Sequence, residues 1–336
     1  MTRRSVLRAL LGLLVSMLFL GLLLRQVELG EVWDALRGVE WPWLVLAAVP
    51  FALGLWLRAL RWRLVLRASV PVTQSEVTSL MLIGLAVNNL LPVRAGEVVR
   101  AVLMERQHGG SRVRVLATIV VERVFDGLVL ALFLVLVLAT RGGNGVLQLL
   151  VLVMGLGFVV AMTVLVWITA RPEVSHRQLV RLLGLAPTRL RPEARRWMDN
   201  FIAGLSQLNG LRAGTAVLVA SVGSWGLEAV AYWFVGEGFG LGLDPWLYLG
   251  VTGAANLSIA APSTSGGIGP FEFFAREVLV VFGATSAVAT AYALALHALI
   301  LVPVVLAGLL LLWRNHLGVG VLTHADRISV EMESTS

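Results

Sequence analysis

The segment Asn88-Asn89-Leu90-Leu91-Pro92-Val93-Arg94-Ala95-Gly96-Glu97-Val98-Val99-Arg100 gathers amides, guanidinium groups and a carboxylate around one proline. Pro92 has no N–H and a fixed φ, so a helix has to stop beside it. The backbone groups freed at the stop need partners or water, and Asn88 and Asn89 bring both donors and acceptors. A helix restarting near Ala95 aims its positive dipole end at the break, with Arg94 alongside, which is chemistry suited to an anion such as a lipid phosphate. The competing reading is structural: Arg94 and Arg100 pair with Glu97 or reach for headgroups.

A second constellation is Glu122-Arg123-Val124-Phe125-Asp126. These charges lie about two to three turns inside an apolar run, where each costs roughly 2.5–3.5 kcal/mol to insert into a bilayer. Glu122 and Asp126 are four apart and share a helix face, while Arg123 lies near enough to bridge to either. Such clusters face a bundle interior or a wet cavity; a self-neutralised brace is the alternative. The third stretch, Pro262-Ser263-Thr264-Ser265-Gly266-Gly267-Ile268-Gly269-Pro270-Phe271-Glu272, joins hydroxyls to glycines that permit close backbone approach, ahead of another helix N-terminus. Ser263, Ser265, Gly267 and Glu272 are candidate ligand contacts, as is Arg276, although Glu272 and Arg276 are four apart and can simply pair. The stretch lacks the Gly-Lys-Ser/Thr ending of a phosphate-binding loop for nucleotides. Glu228 is a minor candidate, alone in its apolar run; His297, equally alone, is read as structural.

These residues are set among elements that a soluble fold cannot supply. Hydrophobic residues make up 58% of the 336 and charged ones only 14%, against roughly 25% charged in soluble domains. Continuous apolar runs of about 18 or more residues recur, each able to cross about 30 Å of hydrocarbon, and their continuity excludes a barrel. With no cysteine, disulfides, thiolate metal sites and a cysteine nucleophile are excluded. Neither HExxH, Gly-x-Ser-x-Gly nor clustered histidines occur, so no catalytic residue, metal or cofactor is assigned. The formal charge of +7 comes from arginine alone, and it reads as membrane topology and anionic lipid contact rather than nucleic-acid binding.

The expected elements are spans at about 6–24, 42–60, 113–140, 146–170, 213–236 and 286–313, with a short amphipathic stretch at 26–40. Apolar segments at 75–91 and 246–261 break and resume as helices at about 96–106 and 271–282. Thr2-Arg3-Arg4-Ser5 superficially resembles a twin-arginine export signal, but the long run after it lacks a small-x-small cleavage site, so a retained span is expected. If the two broken segments dip in and return, every Arg-rich segment falls on the cytoplasmic side: 3–4, 58–67, 106–114, 171–212 and 314. The fold expected is an all-α polytopic membrane helix bundle of about six full spans plus two re-entrant helical hairpins arranged as an inverted repeat, with both termini cytoplasmic. One membrane domain covers 1–314, with repeats at about 1–140 and 146–314 and a polar tail at 315–336. Asn88 and Asn256 mark matching breaks half the chain apart, and matched interrupted helices point to a transporter site near the midplane. The insert 171–212, with Trp197, Phe201, Leu205 and Leu208 on one face beside Arg195 and Arg196, is expected on the anionic inner leaflet.

The three motifs, in this order, resemble the signatures of the lysylphosphatidylglycerol synthase transmembrane-region family, also called flippase-like domain proteins, over about residues 10–314. The resemblance implies a bacterial inner-membrane protein that moves or handles lipid; name-giving members translocate an aminoacylated phosphatidylglycerol and carry a soluble transferase domain. The chain's end soon after its last span implies a membrane module without that synthase activity. Stand-alone members occur near glycosyltransferases, so the implied ligand is an anionic phospholipid or a lipid-linked sugar. The alternative is a non-transporting subunit that anchors or regulates a lipid-modifying enzyme or glycosyltransferase.

Overall fold

A computed structural model describes residues 3–25, 27–66, 71–91, 95–109, 111–183, 191–205, 211–259 and 265–314. Every regular element among them is helical: α1 (Arg3–Leu24), α2 (Leu29–Arg37), α3 (Trp41–Leu66), α4 (Gln74–Leu90), α5 (Gly96–His108), α6 (Arg112–Arg141), α7 (Gly145–Ala170), α8 (Pro172–Leu183), α9 (Arg191–Leu205), α10 (Leu211–Gly238), α11 (Leu247–Ser258), a 3₁₀ turn at Ser265–Gly267, α12 (Pro270–Val281) and α13 (Ser286–Arg314). Helix starts follow local chemistry. Thr73 accepts the Glu76 N–H at 3.3 Å and Glu76 returns the bond to the Thr73 N–H at 2.7 Å, opening α4 with a capping box. Asn144 caps α7 by accepting the Leu147 N–H at 3.1 Å.

Trp41–Leu66, Gly145–Ala170, Arg212–Gly238 and Ser286–Arg314 are long and apolar enough to cross a membrane; α1 and α2, bent by 85°, make a fifth if counted as one span. Along α7, Leu149, Leu152, Val153, Leu156, Val159, Val160 and Val164 are all exposed, an apolar surface that lipid covers and water does not. At 17, 13, 12 and 12 residues, α4, α5, α11 and α12 are each shorter than the ~20 residues a crossing needs. They form two pairs, α4 with α5 and α11 with α12.

α3 packs along α10, α4 against α13, and α11 against α6. The last two contacts are close because glycines line them, as is usual where membrane helices approach each other. A Cβ on Gly308 of α13 would lie 2.4 Å from Ala86 Cβ and 2.7 Å from the Leu82 carbonyl oxygen of α4; one on Gly253 of α11 would lie 2.6 Å from the Leu130 carbonyl oxygen of α6. Gly308→Ala is therefore expected to destabilise by about 1–3 kcal/mol through overpacking. Gly157→Ala, with nothing within 4 Å of the added Cβ, should instead stabilise by about 0.5–1 kcal/mol. Thermal unfolding in detergent reads both signs.

The element boundaries match the sequence expectation within a few residues, with one consequential difference. α3 continues to Leu66 rather than ending near Leu60, so Arg61 and Arg63 join Arg58 within the helix. The insert differs as well: Phe201 and Ile202 of α9 pack on Ala117, Val121 and Val124 of α6, so protein covers that part of the expected lipid-facing stripe. Trp197 stays exposed, and Leu208 lies outside the described residues.

Candidate functional site

Residues flanking both helix breaks line one cavity of about 260 Å³. Asn88 and Asn89 from the end of α4, Glu97 from the start of α5, and Asn256, Leu257 and Ile259 from the end of α11 line it. Gly266, Arg58 of α3, Arg123 and Asp126 of α6 and Trp225 of α10 line it as well. The ordering of the first break is local. Asn88 Oδ1 accepts the Gly96 N–H at 2.7 Å, so a side chain from the end of one helix satisfies an orphan donor at the start of the next. Glu97, one residue on, accepts from Arg123 Nη2 at 2.7 Å. The Arg123 side chain remains half exposed, at 50%, which leaves donors free to meet a ligand.

Behind the cavity wall lies a buried ion network. Glu122 and Asp126 present their carboxylates on one face of α6, and arginines from two other helices meet them. Arg61 donates from Nη1 to Asp126 Oδ1 and to Ser221 Oγ, the latter at 2.7 Å, and from Nη2 to Asp126 Oδ2 at 3.1 Å and Glu122 Oε1 at 3.5 Å. Arg100 donates to Glu122 Oε2 at 2.9 Å, with its guanidinium 3.8 Å above the Trp62 ring. Trp225 Nε1 donates to Asp126 Oδ1 at 2.8 Å, and its ring carries the Arg58 guanidinium at 3.8 Å. Arg58 in turn pairs with Glu228. Glu228 accepts the Tyr232 hydroxyl at 2.9 Å, and Asn256 Nδ2 donates to that hydroxyl at 3.0 Å. Each buried carboxylate here faces a guanidinium and accepts from at least one further donor, a condition under which ions persist in a low-dielectric interior, while Nε of Arg58, Arg61 and Arg100 is left without a hydrogen-bond partner.

A sequence profile of the lysylphosphatidylglycerol synthase TM region matches residues 9–308. The chain belongs to that family. Over 331 aligned residues it is 27% identical to the glycosyltransferase AglD of Haloferax volcanii, covering 88% of this chain and 52% of that protein. A UPF0104 membrane protein of Methanothermobacter thermautotrophicus is 34% identical over 100 residues, 29% of this chain and 30% of the relative. The chain thus spans about half the length of the first relative, and the match to the second covers under a third of either protein. No solved structure matches.

For this member of the synthase TM family, the structure sorts the candidate residues into separate groups. Asn88, Asn89, Glu97, Arg123 and Asp126 meet at the cavity, and Glu228 joins them through Arg58 and Asn256. Glu122 and Arg100 pair with each other in the buried layer, at 4% and 5% exposure, and do not line the cavity. Arg123 bridges to neither Glu122 nor Asp126: those carboxylates face Arg61, and Arg123 turns to Glu97 on α5. The pairing of Glu272 with Arg276 is also corrected. Glu272 bonds to His297, while Arg276 donates to Ser286 at 2.8 Å and lies 3.6 Å from Glu277, away from the cavity. Ser265 and Gly267 lie in the 3₁₀ turn, with Gly267 against Ile259. Arg94 and Ser263 lie outside the described residues.

Arg58, Arg61, Trp225 and His297 belong to these networks and were not candidates from the sequence. Arg58 and Arg61 sit at the end of an apolar run, where a positive flank is read as topology. Their spacing of three, which puts both on adjoining faces of a continuing helix, is the signal that was there to find.

Proposed function

We propose that this chain translocates lipid: the headgroup of an anionic phospholipid or lipid-linked sugar passes through the cavity while the acyl chains stay in the bilayer. The observation that carries the reading is that helix ends flanking both breaks share one cavity, lined by Arg58 and Arg123, by three asparagines and by the carboxylates of Glu97 and Asp126. Paired guanidinium groups suit phosphate oxygens, and amides suit the hydroxyls of a glycerol or sugar. At about 260 Å³ the space lies just below the range of small-molecule pockets, enough for a headgroup but not for a whole lipid.

In this reading α1, α3, α6, α7, α10 and α13 cross the cytoplasmic membrane of a bacterium, α4–α5 and α11–α12 are re-entrant hairpins, and both termini are cytoplasmic. An inverted repeat gains support from the way the halves exchange partners: α4 packs on α13, and its counterpart α11 packs on α6, the counterpart of α13. Such an arrangement lets one repeat rock against the other around a fixed site. No catalytic role is proposed for the chain itself.

The test is reconstitution into liposomes with headgroup-labelled phospholipid and glycolipid donors. Inward and outward exchange of at least one donor class should exceed that of protein-free vesicles; rates equal to the empty control across both classes would sink the proposal.

A second reading draws on the relative named as a glycosyltransferase and on Trp197, exposed on α9 beside exposed Arg195 and Arg196. Here the chain anchors a lipid-modifying or glycosyl-transferring partner. Arg195→Glu with Trp197→Ala would then abolish partner activity, while Arg123→Ala would leave it intact.

A further inference from the structure

Residues 266–269, ahead of α12, are held from three helices at once. They have positive φ at Gly266 (73°), Gly267 (77°) and Gly269 (100°), a path that side-chain-bearing residues rarely follow. Ser16 of α1 donates Oγ to the Ile268 carbonyl at 2.7 Å. Glu272 of α12 accepts the Gly269 N–H on Oε2 at 2.7 Å. His297 of α13 sets Nε2 3.0 Å from the Gly266 carbonyl oxygen and Nδ1 2.5 Å from Glu272 Oε1. The pair is buried, with Glu272 at 3% and His297 at 5% exposure, and the Phe271 ring lies 4.4 Å from the imidazole.

A proton inventory follows from those contacts. A backbone carbonyl only accepts, so Nε2 must carry hydrogen. One more proton then has to lie between Nδ1 and Oε1, either on an imidazolium that donates to the carboxylate or on a carboxylic acid that donates to a neutral imidazole. Both arrangements have zero net charge and hold one proton more than a neutral histidine beside a carboxylate. Removing that proton sets a nitrogen lone pair against a carboxylate oxygen, and the contact between them is lost.

Charges on the packed elements either meet other groups or stand at other positions along their helices. α7 and α11 carry none. The arginines of α1 (Arg3, Arg4 and Arg8) precede Ser16 by two turns or more, and Glu76 of α4 is spent on its capping box at the far end of that helix. On α3, Arg58 pairs with Glu228, Arg61 with Asp126, and Arg63 donates to the Val72 carbonyl. On α10, Glu228 is so occupied, Glu237 accepts from Trp233, and Arg212 sits in the first turn. Glu31, Asp34 and Arg37 belong to α2, whose Val32 clusters with Ala287 and Ala291, a turn or more before His297. Arg276 and Glu277, further along α12, meet Ser286 and Asn144, and Arg314 ends α13.

We infer that Glu272 and His297 form a proton-binding site that latches the glycine turn against the cavity. Gly266 lines that cavity, and Gly267 lies against Ile259, whose Cγ1 would be 2.9 Å from a Cβ there. Proton release frees residues 266–269 and loosens the contact between Gly267 and Ile259. The link to lipid passage rests on the translocation reading; the latch itself does not.

The chain has no cysteine, so a single Ile259→Cys is its sole thiol. Maleimide labelling of that thiol in nanodiscs, normalised to Glu31→Cys on α2 to remove the thiol's own pH response, reads the latch without any transport step. From acidic to alkaline pH the normalised rate should rise about tenfold, the effect of losing one charge-assisted hydrogen bond. Glu272→Gln holds the rate at its acidic value throughout, because an amide oxygen accepts from Gly269 while its NH₂ donates to the neutral Nδ1. His297→Leu gives the high rate at every pH; if that variant fails to fold, Glu272→Gln carries the test alone. A flat wild-type profile, or Glu272→Gln tracking the wild type, overturns the inference. A pH-dependent latch in a protein that moves no labelled lipid would leave this site standing and remove only the translocation reading.

Discussion

Arg61→Met is expected to cost about 3–5 kcal/mol of folding stability, the usual result of stripping one partner from a buried ion pair. At 2% exposure Arg61 is the hub of the buried network, joining α3 to Asp126 and Glu122 on α6 and to Ser221 on α10. Removing the guanidinium leaves Asp126 with the Trp225 N–H as its remaining close donor, far too little to replace its solvation. Glu122 fares better, since Arg100 still holds it at 2.9 Å. Adding Asp126→Asn should therefore recover most of the loss: the buried charge is gone and the amide oxygen still accepts from Trp225. Such recovery is the signature of coupled sites rather than independent ones. As a reference, Arg141→Ala at the half-exposed Arg141–Asp244 pair should change stability by only about 0–1 kcal/mol. Equilibrium unfolding in mixed micelles measures all three variants. An Arg61→Met cost no larger than that of Arg141→Ala would mean that the network does not hold the bundle.

Arg123→Ala is expected to reverse that balance, with little lost in stability and much in transport. Its pair with Glu97 is half exposed on the arginine side, so truncation should move the unfolding midpoint only slightly. If Arg123 meets the headgroup phosphate, losing a charge-assisted contact worth about 1.5–3 kcal/mol slows flipping by about 10–100-fold. Arg123→Lys keeps the charge but not the planar fork, and its rate should fall between the two. Glu97→Gln releases Arg123 from its resident partner and should tighten binding of an anionic donor. The readout is the initial rate in the liposome assay at matched protein incorporation. Wild-type flipping by Arg123→Ala would remove this arginine from the pathway, whatever the fate of the fold.

The two breaks were legible because proline and glycine act locally. Pro92 ends a helix wherever the chain runs next, and Asn88 takes the role its amide allows, satisfying the Gly96 N–H across the gap. The glycines at 266, 267 and 269 mark a turn for the same reason. Partner choice was not local. Spacing along α6 offers Arg123 to its own neighbours, yet Glu122 and Asp126 turn to Arg61 and Arg100 on α3 and α5. Glu272 prefers His297, 25 residues on, to Arg276 one turn away. A single intramembrane histidine carries no sign of its partner until α12 and α13 are packed together.

What the sequence by itself determined is the solvent and the class: a chain this apolar, in continuous runs, folds as helices in lipid, because water does not tolerate the surface and hydrocarbon does not tolerate unpaired backbone. It also marked where those helices must break. Only the tertiary structure decided which charges became a buried brace and which faced a cavity. That division depends on which helix lies against which, and residues 99 positions apart, such as Asp126 and Trp225, settle it by contact. Helical periodicity gives the face on which a side chain stands; packing alone gives the group it meets.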